Sequence, residues 1–178
     1  MKIGNREFDV NNDTYVMGIL NVTPDSFSFV GKFNNLEAAL AHTEEMIKEG
    51  ATIIDVGGES TRRGGYTLIS DEEEIGRVVP VIRAIKEKFD IPVSIDTYKS
   101  KVAKAAIAAG ADLVNDIWGL KYDKNMAKVI ADAGVACCLM HNRDNMEYTS
   151  FMDDMLADLR ETIQLAKEAG IADDKIML

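Results

Sequence analysis

No stretch of this chain gathers basic residues: 20 Lys and Arg stand against 30 Asp and Glu, for a formal net charge of -10. That balance argues against nucleic acid and anionic membrane as partners. A small anionic ligand stays open, because single Arg or Lys side chains and helix N-termini hold phosphate inside acidic proteins. Cysteine is nearly absent. The two present, Cys137 and Cys138, are neighbours in a predicted strand, so they point to opposite faces, cannot pair as a disulfide and read as small buried apolar residues. No apolar run approaches the roughly 18 residues of a membrane span and the N-terminus shows no signal-peptide pattern, so a cytoplasmic location is expected. Also missing is any GxGxxG or GxxxxGK[ST] loop, which a doubly wound nucleotide-binding sheet would place after its first strand. No spacing of His, Cys and carboxylates reads as a zinc site.

What is present is a regular alternation. At 178 residues and 47% hydrophobic content the chain suits one domain, 1–178, with a short hairpin over 1–10 that turns at Gly4 and Asn5. Five apolar, β-branched runs follow, Tyr15 to Asn21, Thr52 to Gly57, Pro92 to Thr97, Leu113 to Asp116 and Val135 to Asn142. Each ends in polar residues and leads into a helical pattern: about Leu36 to Glu49, from Ser70 or Asp71 through a kink at Pro80, Lys99 to Ala109, Asn125 to Ala133, and Phe151 to Ala169. Lys175 to Leu178 reads as a sixth strand. Repeated βα units with polar strand ends predict an α/β fold of the (β/α)8 TIM-barrel type, whose active sites form at the C-terminal ends of the strands. Eight units take about 250 residues, so the barrel is expected to be truncated after about its sixth strand, the sequence being the N-terminal part of a longer protein.

The polar strand ends carry the chemistry. In the string Met17 to Ser28 the strand delivers Asn21 to its tip before Pro24, and an Asn supplies both an oxygen ligand and an amide donor, which suits a metal-bound phosphate. The same residues could be turn formers only. In Ile54 to Arg62, Asp55 and Glu59 flank the Gly57-Gly58 pair, which allows close backbone approach, and Arg62 offers a planar fork for an anion. Asp96 ends the third run and Asn115 and Asp116 the fourth; by alternation only one of the last two points into a barrel mouth. An acceptor such as Asp96 beside the mixed donor and acceptor of Asn115 fits a flat heterocycle with adjacent N–H and C=O groups. His141 and Arg143 close the fifth run, where a structural and a catalytic role are equally open for the histidine. Met140 and Trp118 fit either ligand stacking or rim packing.

Taken in order, the strings GILNVTPDSFS, DVGGESTR, SIDT, LVNDI and CLMHNR resemble the motifs of the dihydropteroate synthase family, from about residue 15 to the end of the chain. The resemblance implies a pterin-binding TIM barrel, a transferase of folate biosynthesis and a sulfonamide target. Its reaction joins 6-hydroxymethyl-7,8-dihydropterin diphosphate to 4-aminobenzoate, giving 7,8-dihydropteroate and diphosphate. It also implies Mg2+ as cofactor and a homodimer at full length. Carried over by motif, Asn21 would hold Mg2+ and the diphosphate, Asp96 and Asn115 the pterin, and Asp55 the floor beneath them, with Asp55 and Asp96 the catalytic carboxylates. Thr61 and Arg62, with Thr23, Asp25, Ser26 and Phe27, would serve the aminobenzoate subsite, and Met140 would be a further binding residue.

Two loops depart from the family pattern. Phe29 and Val30 stand where an Asp and a Gly are common, and Arg63-Gly64-Gly65 replaces a Pro-Gly, which puts aminobenzoate affinity and sulfonamide sensitivity in question. The family's later DPG, S-R-K and R-V-H-D strings are absent, so the chain alone is expected to be incomplete for catalysis. Competing readings are a pterin-dependent methyltransferase using methyltetrahydrofolate and a non-catalytic pterin-binding fragment; the NVTPDSFS and GGESTR strings favour the synthase.

Overall fold

A computed structural model describes residues 1–23, 32–59 and 68–178, with the side chains of its first helix from Leu36 onward. The chain opens with an antiparallel hairpin of β1 (Lys2–Ile3) and β2 (Arg6–Glu7), turned at Gly4, whose φ of 59° lies in the left-handed region. Then follow β3 (Val16–Asn21), α1 (Lys32–Lys48), β4 (Ala51–Gly57), α2 (Asp71–Lys88), β5 (Val93–Asp96), α3 (Ser100–Ala108), β6 (Leu113–Asp116), α4 (Met126–Ala133), β7 (Ala136–Leu139), α5 (Phe151–Glu168), a 3-10 turn (Asp173–Lys175) and β8 (Ile176–Met177).

Among the described residues the sheet has six parallel strands in the order β3-β4-β5-β6-β7-β8. A doubly wound sheet reverses its order at a switch point, and this one never does. Adding each strand on the same side with a helical crossover is how a barrel wall is laid down.

Period-two alternation divides the sheet into two chemistries. Leu20, Ile54, Val56, Val93, Ile95, Val114, Cys137 and Leu139 share one core with Val78, Ile82 and Ile85 of α2, Val102 and Ala106 of α3 and Ile130 of α4. Cys137 belongs to this helix-covered face, where burial pushes its thiol up to about 12. The opposite face carries Ile53, Leu113 and Ala136 at its lower end, packed against Ile3 and Phe8 from the hairpin region, with Cys138 at their margin. Phe8 also meets Tyr15 edge-on, ring centroids 4.7 Å apart. The hairpin thus plugs the end of the inner face opposite the strands' C-termini.

Helix ends follow local chemistry. The Ser70 hydroxyl accepts from the Glu73 N–H at 3.1 Å to open α2, and the helix continues without a break through Pro80 to Lys88. Gly134 ends α4 with φ 64°, the left-handed cap that glycine supplies at least cost. Helix α1 begins at Lys32, a turn before the predicted Leu36. Strand β7 ends at Leu139 rather than reaching Asn142, because the chain leaves the sheet once the Met140 N–H has donated to the Asp116 carbonyl at 3.1 Å. Among the described residues no helix is long and apolar enough to cross a membrane.

Candidate functional site

Parallel register places the polar strand ends at one level. Asn21, Gly57, Asp96, Asn115, Cys138 and Met177 are successive partners across the sheet, and side chains in one such row point to one face. Gly57 leaves a gap in that row: a Cβ built there would lie 3.5 Å from Asp96 Oδ2 and 3.6 Å from Asn21 Oδ1. The two side chains therefore converge on the space that glycine keeps clear.

The row beneath supports this one. Asp55, 4% exposed, accepts from Asn115 Nδ2 through its Oδ2 at 3.0 Å. Its Oδ1 and the hydroxyl of its register partner Ser94 have no hydrogen bond among the described residues. Burial raises the Asp55 carboxyl, and the nearby Ser94 hydroxyl first and then the Asn115 amide offset part of that rise. Asn115 is thereby fixed by one N–H, leaving its oxygen and second N–H for a ligand.

Asp96 is the most perturbed group of the site. Burial first, then the charges of Asp55, Glu74 and Asp116, push its carboxyl up to about 7. None of the described residues hydrogen-bonds to it, which leaves its oxygens available as acceptors among those residues. The Asn115/Asp116 pair separates as alternation requires. Asp116 turns to the helix side, accepts from the Trp118 and Leu120 N–H groups at 2.8 and 2.7 Å, and holds the turn in which Leu120 takes φ 71°.

His141 lies beyond the end of β7, not on the strand as its run predicted. It is fastened to Asp158 of α5, Nε2 to Oδ2 2.9 Å, and Arg143 Nε donates to the same oxygen at 2.5 Å. With Arg143 over the Tyr148 ring at 4.5 Å, the pair ties the β7–α5 connection down. Arg143 holds the Asp158 carboxyl down at about 2 against a smaller effect of burial, and His141 adds a lesser lowering. Met140 stands exposed at the rim, and Thr23 follows β3 half-buried. Asp25, Ser26, Phe27, Thr61 and Arg62 lie outside the described residues, as do Phe29, Val30 and Arg63.

One cluster was not anticipated. Lys99 Nζ sits 2.6 Å from Glu59 Oε2 and 2.8 Å from Glu74 Oε2, the second contact being an ion pair without hydrogen-bond direction. Asp71, Glu72, Glu73 and Glu74 fill the first turn of α2, where acidic residues complement the helix dipole, yet Glu74 is 1% exposed. The available signal was its place on the inward stripe Glu74, Val78, Val81, Ile82 and Ile85, which follows helical spacing.

The profile of the family described as "Pterin binding enzyme" matches residues 17–178. A dihydropteroate synthase of Clostridium beijerinckii is 65% identical over 178 residues, covering 100% of this chain and 66% of that protein. A crystal structure of dihydropteroate synthase from Clostridium difficile in the presence of pteroic acid superposes with TM-score 0.92 at 48% identity, covering 96% of this chain and 65% of the other. The Xanthomonas albilineans dihydropteroate synthase with 4-aminobenzoic acid gives TM-score 0.85 at 41% identity, over 93% and 60%. The chain spans about two thirds or less of the length of these relatives, and its six strands in sequential order are the corresponding part of their TIM barrel. By that match and by the row of polar strand ends it places at one level, the chain belongs to the pterin binding enzyme family.

Proposed function

We propose that this chain forms the pterin and diphosphate half of a dihydropteroate synthase. The observation that carries the reading is the pairing of Asp96, half-buried and without a hydrogen-bond partner among the described residues, with an Asn115 amide already oriented by Asp55. Together they offer an acceptor beside a mixed donor and acceptor, the complement of a pterin's N–H and C=O edge.

In this reading Asp96 accepts from the ring N–H groups and Asn115 meets the neighbouring carbonyl, so the methylene carrying the diphosphate lies toward the rim beside Asn21. The carbon–oxygen bond to diphosphate breaks as the amine nitrogen of 4-aminobenzoate bonds to that carbon, and the amine proton leaves to solvent. Orientation and charge stabilisation carry such a displacement more than a strong base does. No protein nucleophile is needed. Cys138, the thiol of the row, is held protonated because burial, and then the Asp55 charge, raises its pKa.

The donor set fits Mg2+ of one kind only. Among the described residues no three His, Cys, Asp or Glu side chains are placed to hold a metal ion, whereas the exposed Asn21 offers one hard oxygen at the strand tip. Mg2+ takes few protein ligands when phosphate and water complete its shell, so Asn21 would meet a cation that arrives with the diphosphate. Bound there, the ion would supply charge neutralisation for the leaving group. Thr23, Asp25, Ser26, Phe27, Thr61 and Arg62 serve the arylamine in this reading, and Met140 the rim.

Release of diphosphate by the full-length protein, given the pterin diphosphate with and without 4-aminobenzoate, tests the proposal. Arylamine-dependent release with formation of dihydropteroate is expected. Binding of methyltetrahydrofolate with no such release would replace the reading by methyl transfer.

A further inference from the structure

The row that presents Asp96 and Asn115 continues past them. Its next member is Cys138, register partner of Asn115, followed by Met177. The two adjacent thiols, both free, sit in different surroundings. Cys137 is fully buried on the helix side, where its Sγ donates to the Lys175 carbonyl at 3.6 Å. Cys138 is half-buried and faces the inner side of the sheet.

Beneath Cys138 the inner face is polar where branched apolar side chains ordinarily fill a barrel. One layer down, Asp55 and Ser94 are 4% and 0% exposed, and Asp55 Oδ1 and Ser94 Oγ have no hydrogen bond among the described residues. Both lie on the inner face by alternation. Buried polar atoms are rarely left without a partner, so this pair points to a polar molecule seated above it. Asp55 lies close enough for its charge, after burial, to raise the Cys138 thiol. Asn115, whose Nδ2 donates to Asp55, is the thiol's neighbour in the row. The cysteine thus shares one space with the unpaired groups of the floor.

The extent of the row indicates what that space takes. Neighbouring strands stand about 4.8 Å apart, so Asp96, Asn115 and Cys138 line about 10 Å of wall. A ring hydrogen-bonded by Asp96 and Asn115 covers the first spacing, and a second, fused ring reaches across the next to the thiol. Sulfur is soft enough to pack against the edge of such a ring.

We propose that Cys138 forms part of the seat of a fused two-ring heterocycle and is a ligand-gated modification site, where a small neutral thiol reagent and the heterocycle exclude each other. The inference rests on the reading above, in which that heterocycle is the pterin. With methyl methanethiosulfonate, the Cys138 sulfur attacks the reagent's methylthio sulfur and the S–S bond to the methylsulfonyl group breaks. Methanesulfinate leaves with the electron pair and the thiol proton passes to solvent. The product is a mixed disulfide that dithiothreitol reduces back to the thiol. Because the thiolate is the nucleophile and Cys138 is held protonated, labelling is slower than that of free cysteine.

The test uses the full-length protein with peptide mass mapping. Cys138 gains the methylthio group and Cys137 does not. Saturating pterin diphosphate slows labelling of Cys138 about tenfold or more. The labelled protein binds the pterin diphosphate about tenfold or more weakly in calorimetry, and dithiothreitol restores the binding, which separates blockage from unfolding. In Cys138→Ala the reagent changes pterin affinity by less than about twofold, assigning the loss to this thiol. Labelling at the same rate with and without the pterin, full pterin affinity in the labelled protein, or a Cys138 that the reagent never reaches in the fold each overturns the proposal. A parent protein that binds no pterin overturns the functional reading and this proposal together, an outcome that calorimetry reports before any reagent is added.

Discussion

Replacing Asp96 with asparagine should make the protein more stable and a poorer pterin binder, and both effects follow from one half-buried carboxyl. In the unfolded chain Asp96 ionises near its ordinary 3.8, whereas in the fold it does so at about 7. The folded pKa is raised, so the unfolded state gives up its proton first, and stability falls as pH climbs from about 4 to about 7 before levelling. Three pH units at about 1.4 kcal/mol each set a ceiling of about 4 kcal/mol on that loss. Asparagine carries no such cost. Asp96→Asn should therefore gain as much as about 4 kcal/mol over the parent near pH 8 and almost nothing near pH 4 in urea unfolding. Binding runs the other way. A pterin's N–H donors select the ionised carboxylate, so the parent's affinity should rise about tenfold per pH unit up to about pH 7 and then stay level. One proton should be released on binding below that pH, readable by calorimetry in buffers of different ionisation heat. The variant should lose about 1–3 kcal/mol of binding, the cost of leaving a buried donor unpaired, together with most of the pH dependence. A variant no more stable than the parent near pH 8, with parental pterin affinity independent of pH, would refute the reasoning.

Asn21→Ala should weaken the pterin diphosphate far more than the corresponding pterin alcohol, measured by titration of both ligands; equal losses would reduce Asn21 to a turn residue. Asp112, whose Oδ2 accepts from Lys86 Nζ at 2.8 Å and the Val93 N–H at 2.9 Å, lies at the far end of the sheet. Asp112→Ala should cost about 1–3 kcal/mol of stability by stranding that amide and leave pterin affinity unchanged in calorimetry. Gly58→Ala should destabilise by about 1–3 kcal/mol, since the added methyl group overpacks Val78 and Glu74, and thermal unfolding would show it.

The strands were legible in the sequence because each is a short apolar run cut off by polar residues, and five of the six were bracketed to within about two residues. The last long run was read too far: Met140 to Asn142 look like strand by composition, but the sheet has no partner for them once Asp116 takes the Met140 N–H. Asp96 and Asn115 could be singled out as candidates from position alone, since a strand tip is where a polar side chain escapes the core. Their shared level was not, because register depends on how neighbouring strands slide and no local pattern records that. The Glu59–Lys99 pair was invisible for a related reason. Its members lie 40 residues apart, each in a segment where a surface charge is the ordinary expectation, and only the closure of two βα units brings them together.

The hairpin that stoppers the inner face has a kinetic consequence. Ile3 and Phe8 pack against Leu113 and Ala136 at one end, so in a closed barrel a ligand would come and go by the other, past the strand tips. A ring seated at the level of Asp96 and Asn115 then lies deeper than anything bound at the rim, like the first coin in a narrow tube. If the proposed reading holds, the pterin would enter before the arylamine, a prematurely bound arylamine would obstruct it, and the joined product would leave arylamine-end first.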